Sequence, residues 1–202
     1  MSVILESDNF NRANEAPLAL PWTLIRTASG FNLTSNVVVC NLLTQSNEWR
    51  YTRRNFPADQ YVQAAISVTS ATSPSGYGVV ARAASVADDR TMYRLVASKA
   101  AANNVVLDRL NAAVSTSLAT RTVTWVDGDV LRLEITGQGT ATLKIFQNGV
   151  QLGADVSDVA PLAEGQCGIC LAATVTGGSI DNWEAGDFSG AVPERIFPFI
   201  LQ

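Results

Sequence analysis

Hydrophobic and polar residues alternate over short runs along most of the chain. The cleanest run is residues 130–135, where Leu131, Leu133 and Ile135 face one way and Arg132 and Glu134 the other. Runs at 22–27, 36–43, 61–68, 77–83 and 166–173 carry the same signature of β-branched and aromatic residues bounded by turn formers. Residues 140–146 follow the tight turn Gly137-Gln138-Gly139. Asn148-Gly149 then supplies two residues that tolerate positive φ, as a type I′ hairpin requires, and residues 150–152 begin the return strand. Asp127-Gly128 and Pro74-Ser75-Gly76 mark further turns. Residues 98–104 are alanine-rich but too short to persist as a helix, and are expected to form a loop or a single helical turn. The pattern predicts an all-β fold, a two-sheet antiparallel β-sandwich of about a dozen strands. No composition shift divides it, so one domain is expected over residues 1–189.

Composition narrows the chemistry. The chain has 202 residues, 47% hydrophobic and 16% charged, with a net charge of -4 and His 0. Without histidine there is no Ser-His-Asp or Cys-His nucleophile and no histidine metal ligand. The acidic balance gives no reason to expect nucleic acid as a partner. A domain of this length buries roughly 70% of its unfolded surface and needs no staple. No run approaches ~18 uninterrupted apolar residues, so no membrane span is expected. The first residues lack the pattern of a signal peptide, and Asn32-Leu33-Thr34 is read as a chance sequon. The three cysteines, Cys40, Cys167 and Cys170, are odd in number. Cys167 and Cys170 lie in a strand-like run, and both are expected to be small buried hydrophobes rather than redox or zinc groups.

The last stretch, residues 190–202, differs in kind. Pro193 and Pro198 prevent a regular helix, and Ile196, Phe197, Phe199, Ile200 and Leu201 crowd into six residues. A solvated tail of this sort is costly, at roughly 25 cal/mol per Å² of apolar surface. It either folds back on its own sandwich or serves as an extended C-terminal arm docking on a neighbouring subunit, and the second is the functional expectation.

Several segments then line up with a family. Asp8-Asn9-Phe10-Asn11-Arg12 with Trp22 resembles the D-x-F-x-R…W opening of concanavalin A-like jelly rolls, the LamG-like and related sugar-hydrolase-like domains of bacterial and phage proteins. Gly76 to Arg82 is similar to that family's G-x-x-x-R strand, and Met92-Tyr93-Arg94-Leu95 to the hairpin strand after it. Gly128 to Ile135 with Leu143 to Gly149 resembles its G-x-x-x-R-L-x-V…L-x-V-x-x-N-G hairpin. Gly165 to Ile169 and Ser179 to Trp183 resemble its closing strands. The likeness spans about residues 5 to 188 and implies one convex and one concave sheet. It leaves function open, because the fold hosts lectins, glycanases, adhesion modules and virion parts.

Glycoside hydrolysis needs two carboxylates roughly 5 to 9.5 Å apart, which alternate positions on one strand supply. No such strand is present. Glu134 stands between Leu133 and Ile135, Asp127 and Asp129 flank Gly128 in a turn, and Asp88-Asp89 are loop neighbours. No enzyme is expected. For sugar binding, residues 48–54 are the richest segment: Trp49, Tyr51 and Arg53 share one strand face, Glu48, Arg50 and Thr52 the other. Trp49 and Tyr51 are either a stacking platform or core. The resemblance implies that Arg82 and Arg94 lie on strands of the concave sheet, facing a glycan or paired structurally with Asp108 or Glu48. Trp49, Tyr51, Arg82 and Arg94 are therefore the candidate glycan lining. Asp8, Asp181 and Asp187 are the oxygen donors in segments where this fold family holds calcium, but three scattered carboxylates do not make a site, and no metal or cofactor is expected.

Taken together, these features lead to two expectations. The first is a non-enzymatic structural or assembly protein, a phage virion component such as a capsid decoration or tail-associated subunit. It would be located in the virion, homo-oligomeric, and docked on other virion subunits through sheet surfaces and the apolar arm. The alternative is a lectin-like carbohydrate-binding module that takes surface glycans on the concave face.

Overall fold

A computed structural model describes residues 2–25, 30–40, 47–68, 76–86, 90–98, 103–172 and 178–188. These residues form sixteen strands. The first eight are β1 (Val3–Asp8), β2 (Trp22–Leu24), β3 (Phe31–Thr34), β4 (Val37–Cys40), β5 (Asn47–Tyr51), β6 (Gln60–Val68), β7 (Gly76–Ala83) and β8 (Met92–Ser98). The others are β9 (Asn104–Asn111), β10 (Val114–Thr122), β11 (Asp129–Thr136), β12 (Ala141–Gln147), β13 (Val150–Gln151), β14 (Val156–Asp158), β15 (Gln166–Ala172) and β16 (Gly178–Asp187).

The strands make two antiparallel sheets. The nine-stranded sheet runs β13-β12-β11-β6-β16-β4-β3, with β1 beside β16 and β14 beside β12. The seven-stranded sheet runs β10-β9-β8-β7-β15-β5-β2. The predicted hairpin is present: Asn148 (φ 50°) and Gly149 (φ 77°) join β12 to β13 through the left-handed region. The expected turn at 74–76 lies largely outside the described residues, as does most of the alanine-rich stretch.

The core lies between the sheets. Leu131, Leu133 and Ile135 point into it from one side, with Val62, Ala64 and Ile66. Tyr77, Val79, Ala81, Leu95 and Ile169 enter from the other. Trp22 sits at the centre of an aromatic group, with ring centroids 5.6 Å from Phe10, 5.3 Å from Tyr51 and 4.9 Å from Trp183. The opening motif is the device that holds it. Asp8 accepts from the Phe10 amide (2.8 Å) and the Arg12 guanidinium (2.7 Å) with one oxygen, and from Trp22 Nε1 (2.7 Å) with the other. This fixes Phe10 at φ 54°, a conformation that bulky residues adopt only when their surroundings impose it.

Candidate functional site

The strand parity of β5 decides how the richest segment is used. Trp49 and Tyr51 turn inward and are each 4% exposed, within the inter-sheet core. Tyr51 stacks on Trp183 at 4.9 Å. Glu48 and Arg50 therefore turn outward, onto the outer face of the seven-stranded sheet.

That face carries a charged row. Strand pairing sets Thr23, Arg50, Gly168, Val80, Arg94, Asp108 and Ser117 side by side across all seven strands. Arg94 donates to Asp108 at 2.9 Å and to Glu48 Oε1 at 3.3 Å. Arg90 donates to the same Glu48 oxygen. Arg94 reaches Glu48 over two intervening strands, β7 and β15, where Gly78 and Gly168 present no side chain. A Cβ on Gly168 would collide with the Trp49 carbonyl, so the gap is built into the backbone. Arg50 donates to the carbonyls of Ala84 and Val86, each at 2.8 Å.

This network is incomplete. Among the described residues, Glu48 Oε2 and the Nε atoms of Arg50, Arg90 and Arg94 are buried without a hydrogen-bond partner. Arg50 has no carboxylate partner among the described residues, and burial pushes its guanidinium below the ordinary arginine value. Beside these groups, Ile25, Val80, Met92, Val96, Leu110 and Cys170 form a second apolar cluster, separate from the main core. Arg90, Arg94 and Asp108 keep part of their side chains in solvent. The arrangement gathers donors, an acceptor and an apolar cluster on one face, most of it buried.

The four predicted lining residues are not brought together. Arg94 is on the outer face, with both of its expected partners. Trp49 and Tyr51 are core, because alternation places them opposite Glu48 and Arg50. Arg82 is 1% exposed at one end of the sandwich. Its positive φ of 47° takes it out of the alternation of β7. There it donates to the carbonyls of Ala58 (2.6 Å), Leu162 (2.8 Å) and Gly137 (2.7 Å), tying three loops together. Glu48, Arg90 and Asp108 replace these three around Arg94, and Arg50 lies in the same cross-strand row. The sequence offers Glu48 and Asp108 as arginine partners and places Arg50 on the Glu48 face of the strand, while Arg90 carries no signal of its own.

Other expected groups are accounted for as follows. Asp8 is fully engaged by Phe10, Arg12 and Trp22, and no metal-holding group of three or more His, Cys, Asp or Glu occurs among the described residues. A polar cavity of about 420 Å³ lies beside Asp8, Asn182 and Glu184, at the seam of the first and last strands. No helix is long and apolar enough to cross a membrane among the described residues. Cys167 and Cys170 are buried free thiols. Ile196, Phe197, Phe199, Ile200 and Leu201 lie outside the described residues.

At the level of sequence, no family model and no curated protein matches the chain. Solved structures do. A carbohydrate-binding module, CBM66 from Bacillus subtilis, superposes with a TM-score of 0.65 at 13% identity, covering 82% of this chain and 95% of that one. The fold is a concanavalin A-like jelly roll. A prokaryotic beta-1,3-1,4-glucanase (lichenase) from a mouse hindgut metagenome gives a TM-score of 0.61 at 10% identity, covering 90% and 98% of the two chains. The exoplasmic/lumenal domain of VIP36, in its Ca2+/Man3GlcNAc-bound form, gives 0.57 at 14% identity, covering 83% of each. This jelly roll is thus common to binding modules and to a glucanase, and the fold alone does not choose between them.

Proposed function

We propose that this domain is a non-catalytic carbohydrate-binding module that takes its glycan on the outer face of the seven-stranded sheet. The observation that carries the reading is the set of unpaired polar atoms around Arg94: one carboxylate oxygen and three guanidinium nitrogens, next to an apolar cluster. Buried polar groups without partners are costly, and a ligand that supplies the missing bonds recovers that cost. Sugar hydroxyls both donate and accept, and sugar rings present C–H faces to apolar surface. The similar folds named for carbohydrate binding, CBM66 and VIP36 with Man3GlcNAc, support the class of ligand.

Hydrolysis is disfavoured by charge pairing. Glu48 and Asp108 both lie on this face, and one guanidinium, that of Arg94, bridges them. Glycoside hydrolysis needs an acid and a second carboxylate with the sugar between them. Here arginine occupies that gap and holds both groups. A glycan array tests the reading. Hits that weaken in Arg50→Met, assayed on protein that circular dichroism shows to be folded, support it; an array without hits overturns it. A role as a virion or other assembly subunit is compatible with glycan binding. It rests on the sequence of residues 190–202 and is tested by deleting residues 191–202 and scoring assembly.

A further inference from the structure

We propose that the β10 edge of the seven-stranded sheet is a self-association surface, where a second copy of this chain adds its own β10 antiparallel and continues the sheet across a two-fold axis. β10 has nine residues and, among the described residues, pairs only with β9. The other strands paired on one side, β1, β2, β3, β13 and β14, have six, three, four, two and three residues. Sheet edges are ordinarily kept short or guarded by charge, because their unpaired N–H and C=O groups template a further strand. β10 has one charged residue, Arg121, and it is turned away: its guanidinium donates to the carbonyls of Leu152 and Ala154, both at 3.1 Å, across to the other sheet. The edge is thus long, exposed and neutral.

The bulge in β10 makes it self-complementary. The register against β9 shifts between Ser117 and Ala119, so Ser115 and Ser117 share the outer face with Thr120 and Thr122. In a regular strand, residues 117 and 120 would point to opposite faces. With the shift, a two-fold antiparallel pairing sets Ser117 opposite Thr120 of the second copy, and Ser115 opposite Thr122 of the second copy, hydroxyl to hydroxyl. Leu118 meets Ala119 of the second copy, and no like charges face each other. Val114 and Val150, 70% and 67% exposed, form apolar shoulders. The wall is roughly 30 Å long and ~10 Å deep, or about 600 Å² for both partners. That is below a standard interface, so the dimer is weak and concentration-dependent.

Sedimentation velocity of the whole chain from about 1 to about 200 µM tests this, with a dimer forming in the tens of micromolar. Ser117→Lys with Thr120→Lys places lysines opposite one another and weakens dimerisation at least about tenfold. Ser117→Lys with Thr120→Glu places lysine opposite glutamate across the axis and restores it. Both positions are exposed, so circular dichroism should show folded variants. A wild-type monomer at every concentration overturns the proposal, whether the edge is solvated or covered by this chain's own residues. So does a dimer insensitive to the double lysine, or one that the Lys/Glu variant fails to restore.

Discussion

Arg94 and Asp108 lie directly opposite each other on β8 and β9, and the guanidinium meets the carboxylate at 2.9 Å while its other nitrogen holds Glu48. Arg94 is 9% exposed, so the pair is largely desolvated. Arg94→Met leaves Asp108 without its arginine and Glu48 with Arg90 alone. Breaking such a pair should cost about 3 kcal/mol, measured by urea unfolding. A loss below about 1 kcal/mol would mean that the network contributes as an exposed pair does.

Arg82 should matter more to stability than to binding. Its guanidinium satisfies three loop carbonyls, and nothing else in the described structure replaces it. Arg82→Leu leaves those acceptors buried, at about 1–3 kcal/mol each. The expected outcome is a loss of several kcal/mol in chemical denaturation, with any glycan affinity preserved in the fraction that stays folded.

Acid should weaken the fold partly through Asp158. Burial pushes this carboxyl up, but the Tyr93 hydroxyl, the Ala160 amide and the Arg109 guanidinium outweigh it and hold it below the usual range. A depressed folded value gives stability that is fully present above the unfolded value, ~3.9. That stability is lost as pH falls through the lower, folded value. Unfolding free energy followed from pH ~5 downward should drop less steeply in Asp158→Asn than in wild type. Equal slopes would remove Asp158 from the acid response.

The two cysteines of β15 should be inert in the folded state. Burial raises both thiols well above their ordinary value. They also enter different apolar clusters, Cys167 the main core and Cys170 the outer-face group, so they do not face each other. A thiol reagent should label neither until denaturant is added. Rapid labelling of Cys170 in native protein would show that the outer face opens.

Much of the sandwich is legible in the sequence because alternation has one physical cause. Leu131, Leu133 and Ile135 enter the core while Arg132 and Glu134 stay out, and the latter two ion-pair at 2.8 Å. The D-x-F-x-R…W run is legible too, as the family's opening motif, and the structure shows what it does: it clamps Trp22. The site is less so. Alternation separates Glu48 and Arg50 from Trp49 and Tyr51 without saying which set faces the core. Bulges erase parity altogether: Arg82 and Asn182 sit at positive φ inside strands, and Leu118 is the extra residue of β10. Arg90 joins Glu48 from outside any strand, and no local pattern marks it.

The most direct test of the glycan-binding face is a methyl-labelled NMR titration with the strongest array ligand. Resonances of Val80, Met92, Val96 and Leu110, beside the Arg94 network, should shift in a saturable way and fail to do so in Arg50→Met. Shifts confined to the outer face of the nine-stranded sheet, around Ile4 and Val130, would contradict the account.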